Sequence, residues 1–129
     1  MHLVPDDRAH LHTIDENNVC DAIAGLGTPA ELTEWANRFS ALADPTRLAL
    51  LLCIQQVPHI CVTDLAVAVG MKDPAVSQSL RLLRMQGLVT QRRDGRVIRY
   101  RIAEQHTARL LDHVRGHLST PALAGHAHQ

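Results

Sequence analysis

Three helix starts in the chain are marked by a residue able to cap a helix standing directly before a proline: Thr28-Pro29, Asp44-Pro45 and Asp73-Pro74. A Thr or Asp side chain satisfies a free N–H of the first helical turn, and proline fits that turn because its missing N–H is not needed there. Each pair opens an apolar stripe with helical spacing. Leu32, Trp35, Phe39 and Leu42 follow the first pair; Leu48, Leu51, Leu52 and Ile54 follow the second, until Pro58 closes the run; Val76, Leu80 and Leu83 follow the third, until Gly87. A short helix from about Val62 to Val69, stopped at Gly70, falls between the second and third. The chain is therefore predicted to be mainly α.

Composition agrees. Of 129 residues, 46% are hydrophobic and three are aromatic (Trp35, Phe39, Tyr100), so the core is built from Leu, Ala, Val and Ile. The exception to the helices lies at Leu88–Arg93 and Arg96–Ile102, which read as two strands joined by Asp94-Gly95, a pair typical of type I′ hairpins. Ile98, Tyr100 and Ile102 alternate with Arg99 and Arg101, as in a half-buried strand. A last helix is expected over about Glu104 to Leu118. Three regions result: a flexible acidic N-terminal arm over 1–28, a folded domain over 29–119, and a His-containing tail over 120–129.

The net charge of zero conceals a dipole. Residues 1–34 hold seven acids and one base, whereas residues 71–101 hold eight bases and two acids. Arginine outnumbers lysine twelve to one, which favours contacts with phosphate and base edges. A short helix, a tight turn, a longer helix and a basic hairpin make a winged helix-turn-helix. Its second helix presents Ser77, Gln78, Ser79, Arg81 and Arg84, and its wing carries Arg92, Arg93 and Arg96; these eight are the candidate contacts to double-stranded DNA.

The longest unbroken apolar run, Leu48–Ile54, is far below the ~20 residues of a membrane span. The acidic first residues lack the order of a signal peptide, and three cysteines make a disulfide framework improbable, so a cytoplasmic protein without membrane contact is expected. His113 and His117 have the spacing of a zinc-hydrolase helix, but Val114 stands where that motif needs Glu. No enzyme and no small-molecule substrate is expected.

Two groups of residues have the chemistry of metal ligands. His106, His113 and His117 fall within about 40° of one another on a continuous helix. Cys61 and Asp64 share one face at the start of the Val62–Val69 helix, beside the positive helix end that favours thiolate. Cys53, inside an apolar helix, reads as core, and Met71 and Met85 read as gap fillers.

The stretch Ala41-Leu-Ala-Asp-Pro-Thr-Arg-Leu48, the run Cys61-Val-Thr-Asp-Leu65, the segment Ala75-Val-Ser-Gln-Ser-Leu-Arg-Leu-Leu-Arg84 and the wing Arg92-Arg-Asp-Gly-Arg96 together resemble the ArsR/SmtB family over about residues 30–118. The resemblance implies a homodimer built from the first and last helices, and a repressor whose apo form binds operator DNA and is released by a divalent metal. The family's last-helix ligand pattern falls on Glu104, His106 and His117; Thr120 stands in its fourth place, which His113, His126 or His128 could take over. Its other site falls on Cys61 and Asp64, completed by Cys20 from the partner's arm, with His10, His12 or Asp21 as a fourth ligand. Zinc is the leading ion. Cadmium and lead suit the cysteine set, nickel and cobalt the histidine set. The alternative signal for the same fold is thiol oxidation or a small ligand.

Overall fold

Each of the proline-marked starts becomes a helix in the computed structural model, which describes residues 3–119. The elements run α1 (Glu16–Ala24), α2 (Pro29–Leu42), α3 (Pro45–Gln56), β1 (Ile60–Cys61), α4 (Val62–Val69), α5 (Asp73–Met85), β2 (Val89–Asp94), β3 (Val97–Ile102) and α6 (Gln105–Arg115). They fall into two compact units, Met1–Phe39 and Ser40–Gln129.

In the first unit the arm contains a 3-10 turn, Asp6–Arg8, and the helix α1. Asp15 caps α1 by accepting from Asn18 N. The start of α2 is a reciprocal capping box. Thr28 Oγ1 accepts from Glu31 N at 3.1 Å, and Glu31 Oε1 accepts from Thr28 N at 2.8 Å. Hydrogen bonding from Thr28, the backbone N–H first and the side chain second, lowers the pKa of the Glu31 carboxyl from its ordinary value. Farther along α2, Arg38 lies over the Trp35 ring, 4.6 Å from its centre. Leu32 and Phe39 remain 47% and 56% exposed, so their part of the stripe is not covered within one chain.

The second unit begins with a compact piece of local chemistry that accounts for the Ala41–Leu48 motif. Asp44 caps α3 through Arg47 N at 3.0 Å, and Pro45 takes the first helical turn. The Arg47 side chain turns back to donate to Ala41 O and Ser40 O at the end of α2, where the last carbonyls run out of helical donors; Ser40 O also accepts from Ala43 N. The core gathers Leu50, Leu51 and Ile54 from α3, Leu65 and Ala66 from α4, Val76, Leu80 and Leu83 from α5, Val89 and Tyr100 from the sheet, and Leu111 from α6. Cys53 packs at its edge, and burial pushes its thiol pKa up.

The sheet order is β1-β3-β2, all antiparallel. β1 was not foreseen; it pairs Ile60 with Tyr100 and Cys61 with Arg99. The hairpin turn also differs from the expectation. Asp94 pairs with Val97, so the two turn residues are Gly95 and Arg96 rather than Asp94 and Gly95. Gly95 has φ +64°, while Arg96 is not among the positive-φ residues. This is the type II′ pattern, with glycine at the first central position, rather than type I′.

Candidate nucleic-acid interface and metal-ligand positions

α4 and α5 are joined by a turn that only a residue tolerant of left-handed backbone can make. Gly70 has φ +70° and ψ +36°, its N–H donates to Val67 O, and Met71 N donates to Ala66 O at 3.0 Å, closing a Schellman motif. α5 starts one residue earlier than its Asp-Pro signal predicts: Lys72 is the capping residue, and Asp73 lies inside the first turn, accepting from Thr63 Oγ1. Val76, Leu80 and Leu83 are fully buried, which fixes the rotation of the helix. Ser77, Gln78, Arg81 and Arg84 are thereby exposed, and Ser79 is half-buried. Ser77, Gln78 and Arg81 line one cleft with Leu82 and Met85. Met85 is 72% exposed, so it is a surface residue of α5 and not the core filler its type foretold. It follows Arg81 by four residues and so shares its face, a relation the sequence already contained.

Arg92, Arg93 and Arg96 are all exposed around the wing tip. Arg92 pairs with Arg99 and Arg93 with Ile98, and successive strand residues point to opposite faces, so Arg92 and Arg93 project from the two sides of the wing. Asp94 is held by Arg99, Nε to Oδ2 at 2.9 Å. Among the described residues no carboxylate pairs with Arg92, Arg93 or Arg96, so these cations face solvent uncompensated.

The metal-ligand candidates are more dispersed. Cys20 is the buried residue of α1, and its Sγ accepts from Leu3 N at 3.4 Å. His10, His12 and Asp21 are exposed. Cys61 is the N-capping residue of α4, half-buried and without a side-chain cap bond, and Asp64 is exposed in the first turn. All three cysteines are free thiols.

Glu104 occupies the N-cap of α6, where Oε1 accepts from the buried Thr107 hydroxyl at 2.6 Å. His106 and His113 are exposed on the helix. The helix ends at Arg115 with Gly116 as its cap, short of the expected Leu118, so His117 lies beyond it. A final turn, His117 N to Val114 O, still brings the His113 and His117 rings to 5.0 Å between centres. Among the described residues no three His, Cys, Asp or Glu side chains of one chain gather closely enough to hold an ion. Thr120, His126 and His128 lie outside the described residues.

Comparison with known proteins bears on this arrangement. The family model for bacterial regulatory proteins of the arsR family matches residues 44–91. A transcriptional repressor SmtB homolog of Synechocystis is 38% identical over 112 residues, which cover 87% of this chain and 82% of that protein. The crystal structure of the antimony-specific transcriptional repressor AntR aligns with a TM-score of 0.66 at 41% identity, over 70% of this chain and 82% of that one. The solution structure of a homodimeric winged helix-turn-helix DNA-binding domain from Mycobacterium bovis aligns with a TM-score of 0.61 at 35% identity, over 78% of this chain and 91% of that one. A helix-turn-helix with an arginine-bearing wing and a relative that matches nearly the whole chain lead to one conclusion: the chain belongs to the arsR family of bacterial regulatory proteins, DNA-binding transcription regulators and not enzymes.

Proposed function

We propose that the chain is a metal-responsive repressor: a homodimer that binds operator DNA in its apo form and leaves it when a divalent ion binds. The observation that carries the reading is the continuity of α4 and α5. Cys61 caps the start of α4 and Asp64 sits in its first turn, and the Gly70 turn joins α4 to the helix that exposes Gln78 and Arg81. Leu65 and Ala66 of α4 share one buried core with Val76 and Leu80 of α5, so a pull on the start of α4 is transmitted to the DNA-facing helix.

Gln78 has the geometry to pair with adenine and Arg81 with guanine, while Arg84, Arg92, Arg93 and Arg96 neutralise backbone phosphate. The uncovered Leu32 and Phe39 on α2 support a second copy of the chain as the partner. Two ligand sets are proposed. In one, Cys61 and Asp64 of one protomer take Cys20 from the arm of the other, a set suited to zinc, cadmium or lead. In the other, Glu104, His106, His113 and His117 on the last helix serve zinc, nickel or cobalt. Within one chain neither set gathers three ligands among the described residues, so either would be completed across a dimer. The ion supplies a fixed, multidentate link between groups that are otherwise independent. The similarity to an antimony-specific repressor supports a soft-ion signal.

The test uses the reduced full-length protein and a duplex selected by the apo form from a random-sequence pool. Stoichiometric zinc, cadmium, lead, nickel or cobalt should lower its affinity for that duplex about five- to 150-fold, the range of a ~1–3 kcal/mol coupling. Unchanged affinity with all five ions would overturn the reading.

A further inference from the structure

The face of the sheet turned away from the core carries more positive charge than the wing tip alone accounts for. In the β2–β3 register Arg92 stands opposite Arg99 and Thr90 opposite Arg101, so these four share one face, and Ile98, Tyr100 and Ile102 share the other. Like charges directly opposite one another destabilise a ladder. Only Arg99 has its charge answered, by Asp94, and among the described residues Arg92 and Arg101 have no carboxylate.

At the base of this strip stands His59, which has φ +70°, the one non-glycine residue with positive φ among those described. Its backbone is pinned to β3 on both sides: its N–H donates to Tyr100 O at 2.8 Å, and its carbonyl accepts from Arg99 Nη1 at 3.1 Å. Left-handed backbone at a histidine is uncommon and persists where surrounding contacts over-determine it. His59, Thr90, Gln91, Arg92, Arg99 and Arg101 line a pocket of about 220 Å³, and no carboxylate lines it.

We propose that this pocket, where Arg92, Arg99 and Arg101 surround Thr90 beside His59, is a phosphoryl-oxyanion site that holds a DNA backbone phosphate at the base of the wing, away from α5 and from Arg93 and Arg96 at the tip. Guanidinium forks match the paired oxygens of a phosphoryl group, and the Thr90 hydroxyl adds a donor. An anion on this face offsets the repulsion between Arg92 and Arg99, which stand directly opposite, and the charge of Arg101 on the next diagonal. Thr90 and Arg101 lie four positions from the Asp94–Val97 end, about 13 Å at the rise of an antiparallel strand. The site therefore extends the protein's reach along the duplex. Only the source of the phosphoryl group rests on the chain's binding DNA.

The experiment measures binding of the full-length apo protein to a fluorescent random-sequence 30-base-pair duplex across a salt series, and separately follows arginine Nε–Hε resonances by NMR as inorganic phosphate is added. Arg101→Gln is compared with Arg101→Lys, and with Arg109→Gln on α6 as a control. Arg101→Gln should weaken duplex binding about three- to tenfold and lower the salt slope by about 1, Arg101→Lys should recover much of the loss, and the control should not change. The Arg101 resonance should shift with phosphate. Loss of the phosphate response in Arg101→Gln with duplex binding intact would assign the site to free phosphate. A phosphate response in a wild-type protein that binds no duplex would overturn the DNA-binding reading and leave the site standing. Duplex binding and phosphate response that both ignore Arg101→Gln, or a control that loses as much, would overturn the proposal.

Discussion

Gln55 Nε2 donates to Asp112 Oδ1 at 2.7 Å, across 57 residues of sequence, and so joins α3 to α6. The same amide nitrogen donates to Ala108 O, and Gln55 Oε1 accepts from Arg115 Nη2, which also donates to Leu52 O. One carboxamide thus has its donors and its acceptor engaged, and α6, which carries His106 and His113, is registered on the core through it. Gln55→Ala should lower stability by about 0.5–1.5 kcal/mol, because it removes the hydrogen bonds to Ala108 O, Asp112 and Arg115, while Asp112 stays hydrated and Arg115 keeps Leu52 O. Urea unfolding checks this, and a double-mutant cycle with Asp112→Ala should show coupling of at least ~0.5 kcal/mol. Strict additivity would mean that the contact carries no stability.

The capping box of α2 predicts a response to acid. The Glu31 carboxyl titrates below its ordinary 4.5 because the ionised form accepts from Thr28. A depressed folded pKa contributes stability that is present above the unfolded value and is lost as pH falls through the folded one. Helicity at the start of α2 should therefore decline below about pH 4.5. Glu31→Gln keeps an acceptor for the Thr28 N–H and removes the charge, so it should abolish that pH dependence. Amide chemical shifts of Thr28–Leu32 between pH 6 and pH 3 decide the matter, and an unchanged titration in Glu31→Gln would remove Glu31 as its cause.

The elements legible in the sequence are those whose causes are local. Asp44 with Pro45, and Thr28 with Glu31, act within one helical turn, and the structure realises both. Gly70 stops α4 for a reason contained in its own φ. β1 was hidden because its two residues are a strand only by virtue of Tyr100 and Arg99, about forty residues on. α1 was missed although Asp15, Val19 and Ile23 have cap and helical spacing, because its surroundings are so polar. At the candidate interface the phase of Val76, Leu80 and Leu83 sufficed to place Gln78 and Arg81 outside. The candidate metal ligands were less legible. A stripe drawn at 100° per residue assumes a continuous helix, and Gly116 ends it before His117. A site shared between chains, as proposed, would leave no periodicity in either.

Arg81 and Arg93 should fail in different ways. Arg81 is exposed on α5 within the cleft shared with Gln78, and its proposed role is to read a base edge. Arg81→Ala should cost about 1–3 kcal/mol on the selected duplex and relax the preference at one base pair. Arg93, on the wing, should behave as a phosphate contact: Arg93→Ala should weaken all duplexes alike and reduce the salt slope by about 1. Binding measured on selected and scrambled duplexes at several salt concentrations separates them, and equal, salt-independent losses for both would contradict the division.

The two ligand sets can be told apart by the colour of the cobalt-loaded protein. Cys61 stands at the N-cap of α4, and it makes no cap bond that an ion would have to break. A site built on Cys61 and Cys20 should show near-ultraviolet sulfur-to-cobalt charge transfer, which Cys61→Ser or Cys20→Ser removes. A site on α6 should show only nitrogen and oxygen coordination, lost in the His113→Ala, His117→Ala double variant, whose rings lie 5.0 Å apart in the parent. The variant that keeps its fold and its duplex affinity yet no longer releases the duplex on metal addition identifies the set that drives release. Release that survives both sets of substitutions would place the regulatory ion elsewhere.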